Sequence, residues 1–190
     1  MEGENTNIAL LPEHDPQRKE HVYRYERANS FVYGYIIDVA CGWGYGSEIL
    51  RENAARVVGL EIDEEAISYA RENYPLVTFH HCDIETFEFE KVDCIVTIET
   101  VEHLKEPLKF VNKIQQAANL IFISTPIVRS TNWNPYHLHD FTLQEVMYWF
   151  LEWDLIYIGF QESSMMPGFY TVLACFKKKP ESRHPDVLSC

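Results

Sequence analysis

This 190-residue sequence predicts an α/β fold built on a mainly parallel sheet, and three observations carry the prediction. Short apolar runs rich in β-branched residues alternate with helix-like segments over most of the chain, as βαβ crossovers require. Two runs, VTFHHC and CIVTI, are almost continuously apolar, as parallel strands covered by helices on both faces are. Near the C-terminus two β-like runs follow one another with no helix between them, which reads as an antiparallel hairpin at the sheet edge.

Taken in order, residues 1–30 are polar, with helical character over 17–30, and read as an arm or lid. Strands are expected over 35–39, 56–60, 77–80, 92–98 and 120–124. Helices are expected between them over 45–53, 64–73 and 107–118. In 64–73, Ala66, Ile67 and Ala70 share one face, and the acidic first turn suits the helix dipole. Pro107 suits the first turn of its helix. Thr142 followed three residues later by Glu145 forms a capping-box pattern. The runs 155–161 and 169–176, joined through a turn at 163–168, make the hairpin. Residues 31–179 therefore form one domain, and 180–190 a flexible tail.

Composition excludes several classes. With 46% hydrophobic and 24% charged residues the chain has material for a core. The 29 acidic and 16 basic residues give a net charge of −13, which argues against a surface that wraps nucleic-acid phosphates. Membrane spanning needs an apolar run of about 18 residues, and the sequence has none. The N-terminus lacks the basic and apolar regions of a signal peptide. The cysteines, Cys41, Cys82, Cys94, Cys175 and Cys190, are scattered and odd in number, as expected of a reduced, cytoplasmic protein.

The segment IIDVACGWGYG places a strand, then Gly42, Gly44 and Gly46, ahead of a helix. Glycines at such a turn let the chain bend sharply and a ligand approach the backbone. The next strand ends at Glu61, where a carboxylate can accept both ribose hydroxyls of an adenosine. The third glycine comes one residue too early for the nicotinamide fingerprint, with Ser47 in its place. Asp38, just before the turn, would repel a pyrophosphate and could hold a cationic amino acid group. An adenosine cofactor with a zwitterionic tail fits better than a dinucleotide, which disfavours an oxidoreductase.

At this point D-x-A-C-G-x-G-x-G, V-V-G-L-E-I-D-E-E-A-I-x-Y-A and C-D-I-E together resemble the class I S-adenosylmethionine-dependent methyltransferases, over about residues 20–176. The resemblance implies a Rossmann-like, seven-stranded, mainly parallel sheet with the antiparallel hairpin at its edge and helices on both faces. It makes Gly42, Gly44 and the neighbouring backbone the bed for the methionine part of S-adenosyl-L-methionine. It gives Glu61 to ribose, Ile62 to the adenine face and Asp83 to the adenine amino group, and it adds Asp38, Ala40, Ile84 and Glu99 to the cofactor bed. The alternative for Asp83 is a helix cap. The family's proline-glycine-glycine turn before the fifth strand is replaced here by Gln116-Ala117-Ala118-Asn119-Leu120.

The fourth strand runs into Glu99-Thr100-Val101-Glu102-His103, at the end of the sheet where ligands of open α/β folds lie. Glu99 and Glu102, three apart, would share one side of a helical turn. The segment Asn134-Pro135-Tyr136-His137-Leu138-His139-Asp140 reaches the same rim. E-x-x-E-H with a distant histidine is similar to the ubiquinone-pathway O-methyltransferases and the small-RNA 3′-terminal 2′-O-methyltransferases. That resemblance implies a Mg²⁺, Mn²⁺ or Fe²⁺ ion on Glu99, Glu102, His103 and His137, with His137 preferred to His139. Glu102, His103 and His137 are then the catalytic candidates. A metal-free role for His103, as base or loop organiser, stands beside it.

Upstream, E-H-x-x-R-Y-x-x-A at Glu20–Ala28 resembles a bacterial and phage subgroup associated with glycan modification. Arg24 and Tyr25 could close over the cofactor, or Tyr23 and Tyr25 could only dock the arm. Trp149 and Trp153, four apart, are expected in the core. Trp133 is the aromatic candidate for the pocket, and Met165-Met166 for its rim. The expected activity is O-methylation of a small-molecule or glycan acceptor. A metal-dependent RNA ribose 2′-O-methyltransferase and a cofactor-binding pseudoenzyme are the alternatives. The oligomeric state is left open.

Overall fold

A computed structural model describes residues 7–132 and 134–180. The elements in chain order are α1 (Pro16–Asn29), β1 (Gly34–Val39), α2 (Tyr45–Leu50), β2 (Ala54–Glu61), α3 (Glu64–Asn73), β3 (Thr78–His81) and β4 (Val92–Ile98). They continue with α4 (Pro107–Ala117), β5 (Ala118–Pro126), α5 (Leu143–Trp149), β6 (Trp153–Glu162) and β7 (Tyr170–Lys178). Seven strands form one sheet in the order β3-β2-β1-β4-β5-β7-β6. Strands β1 to β5 are parallel. β7 enters antiparallel to β5 and carries β6 antiparallel at the edge. The fold is the Rossmann-like, mainly parallel sheet with an antiparallel edge pair that the sequence predicts. Among the described residues no helix is long and apolar enough to cross a membrane.

The pleat divides the core between the two faces, because successive side chains on a strand point to opposite sides. Ile37, Ile95 and Ile121 pack with Phe110 and Ile114 of α4 and Val146 of α5. Ile36, Cys94, Val96 and Phe122 pack with Ala28 of α1, Leu50 of α2 and Ile67 of α3. The helices start where local chemistry dictates. Asp15 accepts from the backbone N–H groups of Gln17 and Arg18 ahead of α1, and Asp63 from those of Glu65 and Ala66 ahead of α3. Thr142 and Glu145 form the expected capping box.

Several boundaries differ from the sequence reading. α2 ends at Leu50 rather than 53, because β2 begins at Ala54 and Asn53 turns to donate to the Asn29 carbonyl. α4 runs into β5 with no intervening turn, so no proline-glycine-glycine segment is needed. Trp153 starts β6 rather than sharing a helix with Trp149, although both pack against the core. The arm packs into the fold: Arg24, Tyr25, Ala28 and Asn29 of α1 are buried. Trp133 and the tail after Pro180 lie outside the described residues.

In a parallel sheet of this order, β1 and β4 are neighbours whose connections leave in opposite directions. The crevice beyond their carboxyl ends opens into a cavity of about 730 Å³.

Candidate functional site

One half of the cavity is built by the loops after β1, β2 and β3. Beyond β1 the chain turns through Ala40 (φ 55°), Gly42 (φ 53°) and Gly44 (φ 83°). Gly44 needs its missing side chain twice over, because a Cβ there would also lie 2.6 Å from the Ala70 Cβ and 2.9 Å from the Phe79 ring. The loop is braced by Glu61, which is only 6% exposed. One carboxylate oxygen accepts from the Gly42 N–H at 2.9 Å. The other accepts from the N–H groups of Ile62 and Asp63 at 2.8 and 3.0 Å. Ile62 is 47% exposed and lines the cavity together with Ala40, Gly42, Asp83 and Ile84. Asp83 also caps the following turn, accepting from the Glu85 N–H at 2.9 Å. No helix follows Asp83, so it caps a turn rather than a helix, and it still faces the cavity.

Asp38 requires a correction. The pleat turns it toward the α1–α2 face, beneath the loop, and it is fully buried and outside the cavity lining. Its oxygens accept from the Ser47 hydroxyl at 2.6 Å and the Tyr25 hydroxyl at 3.3 Å. Burial raises its pKa to about 7, with the nearby Glu61 charge adding to the effect. Its visible role is to tie α1 and α2 together. The third glycine belongs to the same contact: a Cβ on Gly46 would fall within the Tyr25 ring, 2.1 Å from its nearest atom. Tyr25 thus docks the arm directly onto the loop.

The other half is built from distant segments. Just beyond β4, Glu99 takes a left-handed conformation (φ 50°) that a non-glycine residue holds only under constraint. Its N–H donates to the Ser124 carbonyl, and its carboxylate accepts from the Ser124 hydroxyl at 3.1 Å and lies 3.5 Å from the Arg24 guanidinium. The Val101–His103 turn then carries Glu102 inward, 1% exposed. One of its oxygens accepts from the Thr125 hydroxyl at 2.9 Å, while the other is buried with no hydrogen-bond partner. Burial, reinforced by the Glu99 charge, holds the Glu102 pKa well above the usual carboxylate range. The Glu102 carbonyl accepts from the N–H groups of Leu138 and His139 and so pins the 134–139 loop over the turn.

That loop brings His137 edge-on to His103, with ring centroids 4.6 Å apart. Ligand atoms of Glu102, His103 and His137 all lie within 4.8 Å of one another. His103 Nδ1 meets the Tyr136 carbonyl at 3.1 Å. A carbonyl only accepts, so Nδ1 carries the proton and the lone pair is on Nε2, which lies 4.0 Å from the orphaned Glu102 oxygen. His137 Nδ1 meets the Ser130 hydroxyl at 2.6 Å, and that hydroxyl is in turn 3.3 Å from the Asp140 carboxylate. With the single hydroxyl proton of Ser130 donated to the acceptor-only Asp140 carboxylate, the Ser130 oxygen accepts from His137 Nδ1–H, which leaves the lone pair of the neutral ring on Nε2. Burial, followed by the neighbouring His103, lowers the His137 pKa to about 4.

The fourth expected ligand is corrected: Glu99 lines the cavity but is drawn off by Arg24 and Ser124, outside the three-residue cluster. The left-handed twist at Glu99 breaks the helical spacing assumed for Glu99 and Glu102. His139 is likewise engaged elsewhere, at 2.9 Å from the Leu104 carbonyl and stacked on Phe141.

A third wall is anticipated by the sequence only in its parts, Arg24 over the cofactor and Met165-Met166 at the rim, and not in the contacts that join them. Gln17, Glu20, His21 and Arg24 of α1 face Ser163, Met165 and Met166 of the β6–β7 turn across the cavity mouth. Arg24 donates to the Gln161 side chain at 2.6 Å, and Gln161 donates back to the Glu20 carbonyl at 3.2 Å. Ser164 donates its N–H and hydroxyl to the Glu20 carboxylate. His21 is held neutral, its pKa lowered to about 3 by burial and then by Arg24. The signals for this wall are the E-H-x-x-R spacing on one helix face and the Met165-Met166 pair in the hairpin turn; neither shows that the two segments meet.

Comparison with known proteins agrees with this architecture. A family described as a methyltransferase domain matches residues 37–119. A probable S-adenosylmethionine-dependent methyltransferase of Mycolicibacterium smegmatis is 27% identical over 157 residues, covering 77% of this chain and 61% of that protein. A ubiquinone biosynthesis O-methyltransferase of Actinobacillus pleuropneumoniae is 28% identical over 135 residues, covering 63% and 57% respectively. The chain thus spans about three-fifths of the length of these curated relatives. The N-methyltransferase NodS from Bradyrhizobium japonicum, solved with S-adenosyl-L-homocysteine, superposes with a TM-score of 0.71 at 16% identity, over 90% of this chain and 91% of that one. The magnesium protoporphyrin IX methyltransferase from Synechocystis, solved with bound S-adenosylmethionine, gives a TM-score of 0.66 at 16% identity over 86% and 79%.

Proposed function

We propose that this chain, which belongs to the class I S-adenosylmethionine-dependent methyltransferases, methylates a hydroxyl oxygen of a small-molecule or glycan acceptor. The observation that carries this reading is the orphaned, buried oxygen of Glu102 facing two imidazoles whose lone pairs are on Nε2. An unpartnered buried carboxylate oxygen is costly, and its natural complement is a cation or a hydroxyl proton.

S-adenosylmethionine supplies the methyl group when bound, and the first half of the cavity fits it. Glu61 stands at the end of β2 with its carboxylate toward the glycine loop, in position to take ribose hydroxyls. Ile62 offers an exposed apolar side chain to the adenine face, and Asp83 an acceptor to its amino group. The backbone from Ala40 to Gly44 leaves open space beside the methionine part.

A mixed set of one carboxylate and two imidazoles suits Mg²⁺, Mn²⁺ or Fe²⁺, and Glu102, His103 and His137 would hold such an ion. There it would supply positive charge that favours the deprotonated acceptor hydroxyl. The Tyr136 carbonyl and the Ser130–Asp140 pair fix both rings, so orientation is set before the acceptor arrives. The Arg24–Gln161–Glu20–Ser164 contacts close the mouth against water and hold the acceptor beside the cofactor, which supplies rate through proximity.

The test is calorimetric titration of Mn²⁺ into chelator-treated protein saturated with S-adenosylhomocysteine, with His137→Ala run beside it. One-site binding that disappears in the variant supports the metal-assisted reading and directs the acceptor search to vicinal diols and catechols. Absence of Mn²⁺ binding, with the cofactor product still bound, removes the metal and makes His103 Nε2 the acceptor of the hydroxyl proton.

A further inference from the structure

Among the described residues, His21, His103 and His137 line the cavity. Two of these imidazoles are engaged by the protein: His103 Nδ1 by the Tyr136 carbonyl and His137 Nδ1 by the Ser130 hydroxyl. His21 of α1 stands outside their cluster. It makes no hydrogen bond, ion pair or ring contact with the described residues. Neither of its ring nitrogens is sealed off by protein, so both are open to the cavity.

The ring is nevertheless aimed by its neighbours. One residue earlier, Glu20 is tied to Ser164 through its carboxylate and to Gln161 through its carbonyl. One turn later, Arg24 reaches Gln161 and Glu99, and Tyr25 packs against Gly46. These contacts fix α1 about its own axis. They hold His21 on the wall that faces Met165, Met166 and Phe169.

Burial and then the Arg24 charge lower the His21 pKa to about 3. At neutral pH the ring is therefore uncharged and a poor proton acceptor, unsuited to serve as the base. A neutral imidazole offers one N–H donor and one lone pair. That combination matches a hydroxyl, which also donates and accepts. An anionic group finds no free charge here, because Arg24, the cation of this wall among the described residues, is committed to Glu99, Glu20 and Gln161. Across the mouth the two methionines and Phe169 offer apolar surface. The wall thus suits a ring with hydroxyls at its edge and C–H groups on its faces. Once an acceptor displaces water, a His21 left unpaired costs binding energy, and this is how a site rejects a ligand that lacks the matching group.

We propose that His21 is a specificity-determining residue: its imidazole hydrogen-bonds a second hydroxyl of the acceptor and selects polyhydroxylated rings over monohydric ones. The inference rests on the O-methylation reading above and deepens it.

The test is nuclear magnetic resonance of the histidine rings in the full chain saturated with S-adenosylhomocysteine. The probes are methyl α-glucopyranoside, a polyhydroxylated ring, and cyclohexanol, a monohydric one. The glycoside should shift the His21 ring nitrogens and bind more tightly than cyclohexanol. In His21→Phe its dissociation constant should rise about tenfold. His21→Gln keeps a donor and an acceptor and should recover affinity to within about threefold of wild type. Melting temperature and S-adenosylhomocysteine affinity report whether each variant folds. Should His21→Phe not fold, the wild-type ring shift and the His21→Gln constant decide. An unmoved His21 ring, an unchanged constant in His21→Phe, equal affinity for cyclohexanol, or no glycoside binding up to about 100 mM overturns the proposal. Methyl transfer from S-adenosylmethionine, read by mass spectrometry, separates this from the underlying reading. A glycoside that binds through His21 yet gains no methyl group counts against O-methylation and leaves the His21 contact standing. A methylated glycoside whose KM is the same in His21→Phe overturns the role of His21 alone.

Discussion

The two halves of the cavity are held in place by different means. Around the cofactor half, the fixing contacts are short and made largely by backbone: Glu61 accepts three N–H groups within two loops, and the Cys41 and Cys82 N–H groups bond the Leu60 and Glu61 carbonyls. Around the acceptor half, side chains join segments far apart in sequence, such as Arg24 with Gln161 and Glu20 with Ser164. The first kind of support costs little chain entropy and suits a ligand that never changes. The second ties down long connections by contacts that can open one at a time, which suits an acceptor that must enter and leave.

The largest expected effect probes the ground beneath the cofactor half. Asp38 has a folded pKa of about 7, well above the ordinary aspartate value near 3.9, because it is buried. The folded state therefore keeps its proton where the unfolded state has lost it. The stability this contributes is fully present below the unfolded pKa and is lost as pH rises through the folded one. The slope is at most about 1.4 kcal/mol per pH unit over that window. Asp38→Asn should remove this slope, so chemical denaturation at several pH values should show wild type and variant diverging toward pH 7. Parallel curves would mean that Asp38 ionises freely in the fold.

Next in size is Glu61→Ala. It removes the acceptor for three N–H groups and the proposed ribose contact together, and hydrogen bonds to a charged group contribute about 1.5–3 kcal/mol each. S-adenosylhomocysteine affinity should fall about 100-fold by calorimetry, while the Mn²⁺ binding proposed at Glu102, His103 and His137 should be retained. Loss of both would show that the halves are not independent.

Much of the cofactor half was legible in the sequence because its parts are local. Gly42, Gly44 and Glu61 sit at the ends of successive strands, and the pattern of strand, turn and helix places them. What escaped was direction. The parity of β1 sends Asp38 away from the cavity, and Gly46 serves the Tyr25 ring rather than a ligand. In the acceptor half the sequence pointed to Glu102, His103 and His137, and the fold brings those three together. It misjudged Glu99 because the residue that diverts it, Arg24, is 75 positions upstream on another element. The Glu20–Ser164 contact, spanning 144 positions, left no trace in spacing or composition.

Arg24 is the point where the acceptor half depends on one side chain. It is 5% exposed and reaches Glu99, Gln161 and Glu20. Arg24→Met keeps the stem but leaves the Glu99 carboxylate without its cation. Removing one partner of a buried pair costs about 3–5 kcal/mol; with Glu99 17% exposed at its side chain, about 2 kcal/mol is expected from denaturant melts. A change below about 0.5 kcal/mol would mean that the wall is held by packing alone.

The smallest effect separates the two kinds of support most cleanly. Glu20→Ala removes the carboxylate that accepts from Ser164 and lies 3.9 Å from the Arg24 guanidinium, a long contact in a half-buried position, so global stability should fall by about 1 kcal/mol. The β6–β7 turn, however, loses its tie to α1 on that side. Hydrogen exchange at the Ser164 amide should accelerate about tenfold, while the Gly42 amide, bonded to Glu61, keeps its wild-type rate. Such a split locates the opening motion in the acceptor wall. Equal acceleration at both amides would mean that the cavity opens as one unit, and the distinction between a fixed cofactor half and a movable acceptor half would fail.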